Sequence, residues 1–189
     1  MTHMTLGDFE ARYRADPDPW GYEHSSYEQT KYAATLQACG PGPFHCALEL
    51  GGSIGVFTGQ LAPRCRRLVS VDAAPTAVAA ARARLAGTEQ VQIVLGAIPE
   101  AIPEKSFDLV VASEILYYLD PQRLAATLAA LQSRMVPGAR LVAVHWRPAG
   151  SERPFTAGEI RAVLIGLGWL ERVSSRDDEH YLLDTFIRR

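Results

Sequence analysis

Ala47 to Gly55 reads ALELGGSIG: an apolar run broken by Glu49, then a glycine pair and a further glycine. An apolar stretch of this length followed by glycines predicts a buried strand that turns sharply into a helix, with bare backbone exposed at the turn. Several ligands sit on turns of this kind, so the neighbouring residues have to discriminate among them. A phosphate loop requires a lysine after its last glycine, and none follows here. The dinucleotide fingerprint G-x-G-x-x-G fails as well, because counting from Gly51 puts Ser53 and Val56 in the second and third glycine places.

What remains is Glu49 before the turn, Gly51 and Gly55 within it, and Asp72 at the end of the next apolar run, LVSVD. A carboxylate ending a second strand can accept both hydroxyls of a ribose. An acidic first turn repels a pyrophosphate but tolerates a ligand that carries an ammonium and a sulfonium, the charges of S-adenosylmethionine. The same residues would also serve a plain strand-to-helix turn, with Asp72 capping the helix after it.

Outward from this turn the chain alternates strand and helix. Cys46–Leu50, Arg67–Asp72, Val91–Leu95, Phe107–Ala112 and Arg140–Trp146 read as buried parallel strands, which lose the polar alternation of a one-sided sheet. Helices fall between them: about 55–62, a stretch carrying Val78, Ala81 and Leu85, and one opened by Asp120-Pro121 whose buried face holds Leu124, Leu128, Leu131 and Met135 before Pro137-Gly138. Thr156-Ala157-Gly158-Glu159 is a capping box, and a helix to Leu167 follows. Leu170–Ser174 and His180–Ile187, separated by polar Ser175–Glu179, form a closing hairpin. The expected fold is α/β: one Rossmann-like domain with a mostly parallel seven-stranded sheet, an antiparallel last strand and flanking helices.

Ahead of the first strand, Leu6, Phe9 and Tyr13 share one helical face, and Asp16-Pro17-Asp18-Pro19 stops that helix. Ser25-Ser26-Tyr27-Glu28 reads as a capping box for a second helix reaching Cys39. Residues 1–40 precede a core spanning 41–189 and form a helical segment placed either to fold over the site as a lid, with Trp20, Tyr22 and Tyr27 facing the ligand, or to anchor a terminal helix to the core through Trp20 and Tyr22.

Composition narrows the class. The chain has 189 residues, 48% of them apolar, and a formal net charge of −2, which offers no basic field for nucleic acid. Cys39, Cys46 and Cys65 make no C-x-x-C pair and suggest neither a disulfide framework nor a metal site. With no apolar leader and no run of membrane-spanning length, a cytoplasmic protein without membrane or nucleic-acid partners is expected.

ALELGGSIG with Val71-Asp72 resembles the first two motifs of the class I S-adenosylmethionine-dependent methyltransferases. The likeness runs over about residues 45–146. DPWGYEHSSYEQTKYAATL (Asp18–Leu36), LELGGSIGVFT, SEILYYL (Ser113–Leu119) and VAVHWRP (Val142–Pro148) together are similar to the nodulation protein S type of N-methyltransferase, nearly end to end. The resemblance implies S-adenosylmethionine as cofactor, held by Glu49, Gly51, Gly52, Ser53, Gly55, Asp72, Ala97, Ile98 and Ser113.

Three departures stand out. Gly52 replaces a common cysteine, and Ser26 replaces an aromatic. Ala97 stands where many class I enzymes have an acid for the adenine amine, which leaves adenine to the backbone of Ala97-Ile98 or to another side chain. The implied reaction is N-methylation of an amino group on a sugar or oligosaccharide. Alternatives are O-methylation of a small hydroxyl or phenol, or a nucleoside-binding module without turnover.

Methyl transfer from a sulfonium is an in-line displacement, so a protein aligns the nucleophile and takes up a proton where needed. Glu114 at the end of the fourth strand could hold an ammonium or accept its proton, and Tyr117 and Tyr118 could face a developing cation. His145, ending the fifth strand, is the candidate general base. The plain alternative for all four is a structural role.

Overall fold

The computed structural model describes residues 3–148 and 152–189. Seven strands form one sheet: β1 (Ala47–Leu50), β2 (Leu68–Asp72), β3 (Val91–Leu95), β4 (Phe107–Ser113), β5 (Met135–Trp146), β6 (Leu170–Asp177) and β7 (Tyr181–Arg188). Their spatial order is β3-β2-β1-β4-β5-β7-β6. β1 to β5 pair in parallel, and β7 runs antiparallel between β5 and β6, as the sequence pattern predicts. The helices are α1 (Leu6–Ala15), α2 (Ser26–Cys39), α3 (Val56–Leu61), α4 (Pro75–Arg84), α5 (Pro121–Arg134) and α6 (Ala157–Ile165).

Burial explains the continuous apolar runs. Leu48, Leu50, Leu109, Val110, Val111, Leu141 and Val144 are inaccessible, because helices cover both faces of the central strands. The α5 stripe of Leu124, Leu128 and Leu131 closes one face, each leucine contributing about 1.5–3 kcal/mol by burial. Asp120 caps this helix by accepting from Arg123 N–H at 2.8 Å. β6 is one edge of the sheet, and its charges Glu171, Arg172, Arg176 and Asp177 discourage further pairing.

Three expectations change. Met135 does not end α5 but starts β5, which runs through Pro137-Gly138 with a shifted register against β4. The closing turn is shorter than the polar run suggests, since Ser175–Asp177 pair in the ladder. The boundary at residue 40 cuts through a shared core: Tyr32, Ala34 and Cys39 of α2 pack with Phe57, Leu61, Val111 and Val142. The cover proper is α1 with the segment up to His24. Met4 N–H bonds Glu152 O at 2.9 Å, Arg12 pairs with Glu152, and Glu10 accepts from the Thr76 hydroxyl at 2.7 Å.

Candidate active site

β1 sits between β2 and β4, and the chain leaves the sheet to opposite sides there, which opens a crevice at the carboxyl ends of these strands. A cavity of about 760 Å³ fills the crevice beneath α1. That volume lies in the range of cofactor sites, roughly 300–1,000 Å³. Among the described residues no cluster of three metal-ligating side chains occurs.

One half of the cavity is built by the glycine turn. Gly51 has a φ of 73°, and a Cβ there would meet Ile115 at 3.3 Å, so the turn presents bare backbone. Asp72 ends β2 and accepts from Ser53 N–H at 2.8 Å and Ala74 N–H at 2.9 Å. Burial pushes its carboxyl above the usual range, and the backbone donors oppose that rise. Ser53, itself at a φ of 50°, shares a 2.5 Å hydrogen bond with the Tyr13 hydroxyl of α1. Gly51, Ser53, Asp72, Ala97, Ile98 and Ser113 all line the cavity. Bare backbone, a carboxylate at the strand end and the available volume together suit S-adenosylmethionine.

Glu49, Gly52 and Gly55 lie elsewhere. Glu49 is buried below the turn, where it accepts from the Thr58 hydroxyl at 2.6 Å, and burial pushes it up to about 7. Gly52 lies over Ser70, whose Oγ would be 1.8 Å from a Cβ at that position, so the Ser70 hydroxyl occupies the space a larger residue would need. Glu49 and Gly52 border a side recess of about 30 Å³ whose wall shares Gly51, Ser53, Ser113 and Glu114 with the main cavity. Gly55, at a φ of 80°, lets α3 approach Ala81 of α4, 3.1 Å from its would-be Cβ. These three shape the turn, and the cavity wall is made by others.

The other half is aromatic and charged. Trp20, Tyr22, Tyr27, Tyr117 and Tyr118 line it, joined by Phe9, whose ring meets Tyr118 edge-on at 4.9 Å. Glu114 protrudes at a φ of 56°, a conformation rare outside glycine and one that surrounding bonds must hold. Its Oε1 accepts from Lys31 Nζ at 2.9 Å; Oε2 accepts from Trp146 N–H at 2.9 Å and from the Tyr117 hydroxyl. Burial pushes this carboxyl up, but Lys31 and Tyr117 outweigh it and hold it below the usual range. Lys31 also binds Glu28 Oε1 at 3.0 Å.

His145 does not reach the cavity. It is 3% exposed, its Nε2 has no partner, and burial pushes it down to about 4. The ring packs behind Tyr117, with centroids 5.0 Å apart. Packed behind Tyr117 and absent from the cavity wall, the imidazole is out of reach of a bound acceptor, so the general-base expectation is corrected on geometry.

Lys31, Glu28, Tyr13 and Arg153 were not expected at the site. Lys31 carries no signal in the sequence, since a lysine between polar neighbours on a helix reads as a solvated residue. Arg153, 4.5 Å over the Tyr117 ring, follows a stretch without periodicity and carried none.

Comparison with known proteins places this geometry. The profile of the nodulation protein S (NodS) family matches residues 7–153. Nodulation protein S of Rhizobium tropici is 32% identical over 184 residues, covering 93% of this chain and 77% of the relative. Its counterpart in Bradyrhizobium diazoefficiens is 36% identical over 133 residues, 69% of this chain and 64% of that protein. The crystal structure of the N-methyltransferase NodS from Bradyrhizobium japonicum WM9 in complex with S-adenosyl-L-homocysteine superposes with a TM-score of 0.85 at 26% identity, covering 98% of this chain and 99% of that one. With a sheet, a glycine turn and a cavity of this form, and matches along nearly its whole length, the chain belongs to the nodulation protein S family and is an S-adenosylmethionine-dependent methyltransferase.

Proposed function

We propose that this enzyme N-methylates a small amine, with an amino group on a sugar or oligosaccharide as the acceptor class. The observation that carries the reading is the cluster of Glu28, Lys31 and Glu114 in the cavity wall, two carboxylates around one ammonium. Such a cluster has an excess of negative charge when both acids are ionised, and aromatic rings surround it. That environment favours a cationic group over a neutral or anionic one. His145, the sequence's candidate base for a hydroxyl acceptor, lies outside the cavity.

Gly51, Ser53, Asp72, Ala97, Ile98 and Ser113 would hold S-adenosylmethionine, which when bound supplies an electrophilic methyl group to the acceptor's lone pair. The protein's own part is alignment and exclusion of water. α1 closes over the crevice, Tyr117 and Tyr118 bound the acceptor space, and the bonds to Glu114 fix its strained backbone. A cytoplasmic site of action accords with the free, buried thiols of Cys39, Cys46 and Cys65.

The test combines binding and turnover. Isothermal titration with S-adenosylmethionine, S-adenosylhomocysteine, NAD and ATP should show binding of the two sulfur nucleosides alone. Asp72→Ala should weaken it by about 1.5–3 kcal/mol, the loss of a charged hydrogen-bond partner. Mass spectrometry after incubation with S-adenosylmethionine should find a methylated product from D-glucosamine and none from N-acetyl-D-glucosamine. Methylation of both, or of a phenol in preference, would reject the amine acceptor.

A further inference from the structure

Glu114 is the obvious carboxylate for an acceptor amine, yet its hydrogen bonds leave it little to offer. Oε1 is taken by Lys31, and Oε2 by Trp146 N–H and the Tyr117 hydroxyl. Glu28 differs. It lines the same cavity, is 7% exposed, and has Oε1 on Lys31 while Oε2 is buried with no partner. The sequence pattern assigns Glu28 to a capping box, but the Ser25 N–H it should receive goes to Gly21 O at 2.9 Å. Only the half of the box in which Ser25 Oγ accepts from Glu28 N–H forms, at 3.3 Å. The side chain is thereby released from the helix end and turned toward Lys31. An unmet carboxylate oxygen in a buried wall is costly unless a donor arrives.

We propose that Glu28 is the acceptor-binding carboxylate: its unpartnered oxygen takes a hydrogen bond from the ammonium of the incoming amine and receives its proton. This rests on the reading of the enzyme as an amine methyltransferase. The terminal torsion of a glutamate is soft, so a small rotation brings Oε2 to the cavity face while Lys31 keeps its bond to the other oxygen. The proton passes from nitrogen to the Glu28 carboxylate, the nitrogen lone pair is freed for the methyl carbon, and the carboxyl later gives the proton to solvent. Lys31 and Glu114 act on Glu28 as fixed neighbours, the first holding it ionised and the second repelling added negative charge. Asp18 adds a further negative neighbour, and Tyr22, Tyr27 and Tyr32 surround the group. Burial raises the Glu28 carboxyl above its ordinary value, with Lys31 opposing.

The experiment uses the full chain saturated with S-adenosylhomocysteine, titrated with benzylammonium, benzyl alcohol and D-glucosamine, in the wild type and in Glu28→Gln. Benzylammonium should bind the wild type, benzyl alcohol should not, and E28Q should weaken the ammonium by about tenfold or more at unchanged S-adenosylhomocysteine affinity and melting temperature. Wild-type affinity for benzylammonium, followed from neutral pH down through the carboxylate range, should fall as Glu28 takes up a proton, and E28Q should remove that slope. The wild-type profile keeps the test valid if the variant folds poorly. Equal ammonium binding by both proteins, a flat wild-type profile, or no ammonium binding by the wild type overturns the inference. Glu28-dependent binding of benzylammonium with none of glucosamine supports Glu28 and rejects the amino-sugar acceptor instead.

Discussion

At the scale of single residues, conformation and burial reassign chemistry that residue type suggests. His145 has the side chain of a general base, but burial keeps its imidazole neutral down to about pH 4. Its folded-state pKa lies below the ordinary value, so the unfolded chain binds more protons between the two, and stability falls as pH drops from about 6.5 toward about 4. The expected loss is about 3 kcal/mol across that window. Urea unfolding of the wild type and His145→Phe at a series of pH values measures it: the variant should lack this part of the acid slope. The same slope in both would mean that His145 is solvated. Glu49 shows the converse, an acid in a ligand-binding motif whose bond to Thr58 buttresses the turn from below. Asp72, by contrast, sits where its place in the sequence suggests, because a residue ending a parallel strand beside the crevice has its side chain at the crevice.

At the scale of elements, α1 is the part most open to removal. Tyr13 is its buried residue, and the two large core clusters draw on none of its side chains. Yet it covers the cavity with Phe9 and Tyr13 and reaches the glycine turn through the bond between the Tyr13 hydroxyl and Ser53. A chain beginning at Asp18 should therefore keep its fold by circular dichroism while losing about tenfold or more in S-adenosylhomocysteine affinity, the worth of one buried side chain or more. Unchanged affinity would remove α1 from the site. α2 behaves differently although it reads alike. Its polar residues Glu28 and Lys31 resemble a solvated face, and only the packing of Tyr32, Ala34 and Cys39 on the sheet turns them inward.

For the whole molecule, the cavity lies between the sheet and the cover, so ligand binding ties the two together. Saturation with S-adenosylhomocysteine at about a hundredfold its dissociation constant should stabilise the fold by about 2.7 kcal/mol. For a chain of this length that raises the melting temperature by roughly 5–10 °C. Differential scanning fluorimetry should show this rise with the sulfur nucleosides and none with ATP or NAD at the same concentration. An equal rise with ATP would contradict the ligand preference of the turn.

Strand and helix identity, the order of elements, the antiparallel end of the sheet and the position of the glycine turn were all legible in the amino-acid pattern. They follow from periodicity and from the local stereochemistry of Gly51 and Pro121, which act over a few residues. The same local information missed Met135 as a strand residue, because its place on the helical stripe of α5 is equally a buried place in β5. The acceptor half of the cavity was legible only as types of side chain. Which carboxylate is satisfied, which is left unpaired, and which base is walled off depend on contacts between α2, β4 and β5. Lys31 and Glu114 are 83 positions apart in the chain, and only the closed tertiary structure brings them within hydrogen-bonding distance.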